Sequence, residues 1–308
     1  MILTALALIA AVFMGISIGA SSVAPAFGPV NSSGSINVLR SALIAGIFAF
    51  IGAVTQGGKV ANTVGSGILT GPISMEQGAV ILLVAAGLVI VSVLTDYPMP
   101  TAFTVIGAVI GSSFAFGNSV VWGLIHEIIG FWLLVPFVAV LLGYVFARLL
   151  RKFIPDEAKD KVRKLLMVTG GYLAYSAGAS AVGLAVGPLS AIQTPVILLL
   201  VFGGLSILVG AWMYSPRIIK AISYDYSSIG PRRSVAALAT AGIMAQIGVL
   251  FGIPISFNEA VIASVIGSGL VEGKENADLK KISFTAAAWI GAFLLAGLLT
   301  YVAGILIF

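Results

Sequence analysis

The residues of this sequence that could hold a small charged solute are hydroxyls and amides placed near prolines. In the first half, Ser17, Ser21 and Ser22 come shortly before Pro25, while Thr101 and Thr104 follow Pro98 and Pro100. The second half offers Ser176, Ser180, Ser256 and Asn258, the last two just after Pro254. A proline ahead of a helical run marks a helix start, where backbone N–H groups lack partners and the dipole is positive. Such starts and hydroxyls are donors, and donors are what an anion needs once its water is removed. Four starts converging would make a cage for a tetrahedral oxyanion. Gln56, ahead of Gly57-Gly58, is a further amide donor.

Ionisable residues within apolar surroundings are few: Lys59, Asp96, Glu127, Arg217 and Glu259. Each is costly in hydrocarbon and is therefore a candidate for function. Glu259 stands at the start of a short apolar run, fit for a coupling or gating role or for a salt bridge to a buried cation. Asp96 abuts Tyr97-Pro98 at a helix end, where capping competes with coupling. Glu127 follows His126 a turn or two into a long apolar stretch, so an interfacial position competes with coupling there. Lys59 and Arg217 could draw in an anion or simply snorkel to the membrane surface. With no cysteine and a single histidine, thiolate and multi-histidine metal centres are excluded.

The elements that must position these groups are membrane helices. Hydrophobic residues make up 59% of the 308 and charged residues 9%, with a mean hydropathy of +1.14. Those values lie far from soluble domains. Gly78 to Thr95, Val121 to Ala147, Thr194 to Trp212, Val235 to Phe251 and Ile282 to Phe308 approach or exceed the ~20 apolar residues that a spanning helix needs. Thr101 to Phe116 and Phe257 to Val271 are shorter and richer in Gly and Ser, as half-helices or re-entrant segments are. The chain is predicted to be all-α, with about 10–12 membrane segments. The apolar start lacks a basic n-region and is read as a retained helix. Cations crowd residues 151–164 and flank 217–233, which places both loops on the cytoplasmic side of the cell membrane. No soluble basic face with aromatics is present, so nucleic acid is not an expected partner.

The sequence repeats itself. Gly19 to Pro29 matches Gly178 to Pro188 at seven of eleven positions, at an offset of 159. Pro98 to Ser112 matches Pro254 to Ser268 at an offset of 156, and between them Lys59 falls opposite Arg217 at 158. Two halves follow, residues 1–150 and 165–308, joined by the charged linker 151–164. An odd number of crossings per half would invert the second relative to the first, the architecture of many secondary transporters, whose sites lie at the repeat interface on broken helices. Gly-rich clusters also serve close helix packing.

These segments resemble the inorganic phosphate transporter family, which includes sulfate permeases. The family's duplicated Gly-Ala-Asn-Asp-Val-Ala-Asn signature is represented by Gly19-Ala20-Ser21-Ser22-Val23-Ala24-Pro25 and Gly178-Ala179-Ser180-Ala181-Val182-Gly183-Leu184. Its Pro-Val-Ser-Thr-Thr-His segment is matched by Pro98 to Phe103 and Pro254 to Glu259, and Trp212 to Lys220 is similar to the stretch after the second signature. The resemblance implies ion-coupled uptake of inorganic phosphate, with sulfate or another tetrahedral oxyanion as the alternative. It implies no cofactor beyond a coupling cation, Na+ or H+, and allows a homodimer. Both signature Asp positions are neutral here, Ser22 and Ala181, which argues against sodium held by carboxylates and directs attention to protons on Glu259 or Glu127. An enzyme is disfavoured because no nucleophile–base pair or paired carboxylates appear at duplicated positions. An anion channel remains the nearer rival.

Overall fold

The structure is a computed structural model. It describes the backbone except at Met1, Ser35, residues 96–99, Asp156, residues 274–278 and Phe308; the side chains of Ala24, Pro25, Val93, Thr95 and residues 215–229 and 279–286 also lie outside the description. Asp96 and the side chain of Arg217 are therefore not placed.

The described residues form twelve α-helices: α1 (Ile2–Ile18), α2 (Gly28–Ser32), α3 (Val38–Gln56), α4 (Gly58–Asn62), α5 (Met75–Thr95), α6 (Thr101–Phe116), α7 (Trp122–Phe153), α8 (Lys159–Val186), α9 (Val196–Ile229), α10 (Pro231–Phe251), α11 (Phe257–Gly269) and α12 (Leu279–Ile307). Eight helical stretches among the described residues are long and apolar enough to cross a membrane, four in each half of the chain. α6 and α11 are the short helices expected from their Gly and Ser content, of 16 and 13 residues, and α6 is a shorter apolar helix among the described residues. The charged linker is shorter than expected. Arg151 and Lys152 belong to the last turn of α7 and Lys159 begins α8, leaving only residues 154–158 between the helices.

Polarity is distributed as a bilayer demands. Leu133, Phe137 and Leu141 on α7, one turn apart, are 66%, 76% and 61% exposed. That apolar stripe costs nothing against lipid. Inside, the buried polar residues are mostly Ser and Thr, and Glu259 is the one charged-type residue among those buried and described. Small hydroxyls can satisfy themselves on their own helix, as Ser17 does on the Phe13 carbonyl and Ser264 on that of Ala260, so they cost little in a low-dielectric interior.

Helices from the two halves interlock in matched pairs. α1 packs on α9 and α8 on α3; α6 packs on α12 and α11 on α7; α3 and α9 pack on each other. Glycines set these approaches. A Cβ on Gly52 would overlap the Tyr175 carbonyl oxygen, and one on Gly210 would overlap that of Ile16. Gly52 and Gly210 differ by 158 in number, and Ile16 and Tyr175 by 159, the spacing of the sequence repeat. The same relation links the Gly111–Gly297 contact to the Gly267–Val140 contact. Without a hydrophobic drive between helices in lipid, backbone-close packing of this kind supplies dispersion contact that bulkier residues would prevent.

Candidate functional site

The first signature copy breaks its helix as expected. α1 passes into a π turn over Gly19–Val23 and a tight turn over Ala24–Phe27 before the five-residue α2. Widening the helix there frees backbone groups that a regular α-helix would consume. The second copy does not break at Gly178. α8 stays helical to Val186, and only Gly187–Leu189 tighten. With Ala181 and Gly183-Leu184 where the first copy has Ser22 and Ala24-Pro25, no proline interrupts the ladder until Pro188. The expected cage of four helix starts is thus reduced to two of useful length, α6 and α11.

Those two starts differ. α6 begins after Pro100 with no side-chain cap, and Thr101 and Phe103 are buried. α11 is capped by its own residue: the Ser256 Oγ accepts from the Glu259 backbone N–H at 3.4 Å. A Ser followed three residues later by Glu is a capping-box sequence, a local role that the spacing alone could have revealed. Glu259 is 2% exposed, and its Oε2 has no hydrogen-bond partner among the described residues. The salt bridge considered for Glu259 is not found among the described residues. Phe103, its counterpart in the first half, stacks on Trp132 at 3.8 Å between ring centroids, and Trp132 Nε1 donates to the Pro254 carbonyl at 2.8 Å. One half therefore fills this position with a ring and the other with a carboxyl.

The most developed polar contact joins three helices. Ser176 Oγ on α8 donates to Gln246 Oε1 on α10 at 3.1 Å, and Gln246 Nε2 donates to Gln56 Oε1 at the end of α3. Ser180 lies one turn beyond Ser176 on the same face; it is 3% exposed and its Oγ has no partner among the described residues. Gly57 presses against Val182, and Thr55 Oγ1 meets the Tyr175 hydroxyl at 2.8 Å, so α3 runs along the Tyr175–Gly178–Val182 face of α8, and Gln56 is linked to Ser176 through Gln246. The repeat does not reach Gln246, because Ile90 occupies the matching place in the first half at the offset of 156; its signal is an amide within the apolar stretch 241–251 of α10.

The other expected residues fall in three groups. Ser21 and Ser22 sit together in the π turn: Ser21 Oγ donates to the Ser17 carbonyl at 2.9 Å and lies 3.4 Å from Ser22 Oγ, and this turn packs against α8 and α9. Thr104 is buried, but its hydroxyl donates to the Pro100 carbonyl at 2.9 Å and so serves its own helix. Asn258 is half-buried beside Glu259. Glu127 and His126 are exposed on α7, away from the polar interior, and the structure does not bring Glu127 into the cluster. Lys59 is exposed, and its Nζ donates to the Leu250 carbonyl at 2.9 Å, where a cation complements the C-terminal end of α10. Gly252, at φ 71, then turns the chain toward Pro254.

No nucleophile is set beside a base among the described residues of this cluster. Among the described residues no group of three His, Cys, Asp or Glu could hold a metal.

Comparison with known proteins agrees over nearly the whole chain. A sulfate permease, CysP, of Bacillus subtilis is 29% identical over 292 residues, covering 92% of this chain and 82% of that protein. A protein of Thermococcus kodakarensis named as a phosphate permease is 23% identical, covering 91% and 94%. A solved structure titled "The sodium-dependent phosphate transporter" superimposes with a TM-score of 0.90 at 19% identity, covering 100% of this chain and 99% of that one, a likeness of fold. The model of the phosphate transporter family matches residues 18–300, and the chain belongs to that family.

Proposed function

We propose that this protein is a secondary transporter of inorganic phosphate across the cell membrane, working by alternating access between two inverted halves, residues 1–150 and 165–308. Family membership supports the transport class. The observation that carries the site is the Gln56–Gln246–Ser176 chain with the unpartnered Ser180 beside it. Polar side chains tie α3 of one half to α8 and α10 of the other there, and a free buried hydroxyl remains to be satisfied. Matched helix pairs across the halves support the two-fold relation, and five crossings in each half would make it an inversion. The substrate would take donors from Ser180, Ser22, Gln56 and the uncapped start of α6 at Thr101, from Ser21 once its hydroxyl turns from the Ser17 carbonyl, and from Ser256 and Asn258 at the start of α11.

The coupling ion in this reading is a proton carried by Glu259. Ser22 and Ala181 stand where the family signature has carboxylates, so a cation site there would lack its charge. The basic side of the molecule, with residues 151–164, would face the cytoplasm, and the protein would act on its substrate without covalent chemistry. Phosphate uptake into proteoliposomes with sodium and pH gradients imposed separately tests the proposal. Uptake driven by the sodium gradient alone would remove the proton reading, and no saturable uptake would remove transport of phosphate.

Sulfate is the second reading, favoured by the CysP relative and by the neutral signature. Protonated phosphate can donate a hydrogen bond and sulfate cannot, so an acceptor such as Glu259 would favour phosphate. Competition between labelled phosphate and sulfate separates the two.

A further inference from the structure

The linker side of the molecule holds a cavity of about 560 Å³ that is separate from the central polar cluster. Ser33, Ala147, Val162 and Val271 form part of its wall, and its charged lining is Arg151, Lys159, Arg163, Arg232 and Arg233 against one carboxylate, Glu272. Five cations repel one another, and among the described residues one carboxylate joins them in the lining. Two of these cations meet described carboxylates. Arg163 meets Asp160 only at 3.8 Å, with Asp160 92% exposed, a surface pair of small worth. Arg233 pairs with Glu272 at 2.7 Å, and Arg232 donates to the Ile154 carbonyl at 2.6 Å, which fixes its guanidinium at the cavity wall. The start of α10 opens on the same space: Gly230 provides no side chain to cap it, and Pro231 occupies the first turn, so the positive end of the helix adds to the field.

We propose that this cavity binds a phosphate-bearing anion. Guanidinium groups match the geometry of phosphate oxygens, and no aromatic residue lines the space to stack a nucleobase. The volume exceeds that of one tetrahedral ion and falls in the range of ~300–1,000 Å³ typical of ligand sites. A headgroup of an anionic phospholipid and free inorganic phosphate share the required chemistry, and basic pockets between membrane helices are suited to such headgroups. The walls come from α7, α8, α10 and the turn Leu270–Glu272 that follows α11. An anion there would hold the end of the first half to the second and compete with Glu272 for Arg233, biasing the helix that carries Glu259.

The test uses the full chain in nanodiscs of zwitterionic lipid, followed by thermal melting. One arm titrates inorganic phosphate against potassium chloride of equal ionic strength; the other replaces part of the lipid with phosphatidylglycerol. The central site would respond to phosphate as well, so the part of the phosphate response that the cavity variant below loses identifies the free ion, and a response to phosphatidylglycerol alone identifies the headgroup. The triple variant Arg151→Gln/Lys159→Gln/Arg233→Gln is expected to weaken the midpoint by about tenfold or more, as loss of charge-assisted contacts does. Glu272→Gln is expected to strengthen it, because it releases Arg233 and removes the competing carboxylate. Structural damage would not produce that gain. No stabilisation in either arm, an equal effect of chloride, responses to phosphate and to phosphatidylglycerol that are both undiminished in the triple variant, or weaker binding in Glu272→Gln would each overturn the proposal.

Discussion

Replacing Gln246 with Leu removes the amide that joins three helices while keeping a side chain of similar volume. Two hydrogen bonds disappear, one to Gln56 and one from Ser176. Ser176 is fully buried, so its hydroxyl must turn back on its own helix or remain unpaired. Interhelical hydrogen bonds in membrane proteins average about 0.6 kcal/mol each, and a stranded buried polar group adds about 1–3 kcal/mol. The sum falls near 2–4 kcal/mol, enough to change an equilibrium between states by roughly 30- to 900-fold. If the chain of amides lines the substrate route, Gln246→Leu should cut labelled phosphate uptake in proteoliposomes by a factor of that order and lower the melting temperature modestly. Gln246→Glu separates fold from function. Its carboxylate still accepts from Ser176, and Gln56 can turn its amide to donate, so the contacts survive; the ionised group costs stability of its own in this interior, which the melt reads separately, and its negative charge should repel an oxyanion and abolish uptake. Wild-type uptake by Gln246→Glu would refute the placement of substrate beside this chain, whatever the Leu variant does.

The double exchange Ser21→Ala/Ser180→Ala should eliminate uptake while leaving folded protein in the membrane, measured by uptake together with size-exclusion profile; retained transport would place the anion elsewhere. Glu259→Gln should make accumulation insensitive to an imposed pH gradient, which in the wild type supplies about 1.4 kcal/mol, or tenfold accumulation, per proton and per pH unit. The same variant should shift competition toward sulfate, and unchanged selectivity would remove Glu259 from substrate recognition. Gly52→Ala and Gly210→Ala should each destabilise the fold by about 1–3 kcal/mol through overpacking against a partner carbonyl, and similar losses in thermal melts of the two would follow from their matched contacts.

The amino-acid sequence by itself determined that this chain lies in a bilayer and is helical, and it shows segments that recur at one spacing. Those properties follow from runs of apolar residues and from repeated spacing, which need no knowledge of contacts. It also marked Gly19 to Pro25 as a break, because a proline inside a helix leaves a local signature. Only the tertiary structure decided which polar groups meet. Gln246 has no polar counterpart in the first half, so its link to Gln56, 190 residues away, could not be read from the repeat. Glu127 and Glu259 look alike as isolated carboxyls in apolar sequence, yet one is exposed on α7 and the other buried at the start of α11. The expected break at Gly178 failed for the same reason: whether a glycine-rich segment bends or packs depends on its neighbour, and there the neighbour is the backbone of α3 at Ala49, close enough that a straight helix with no side chain fits best.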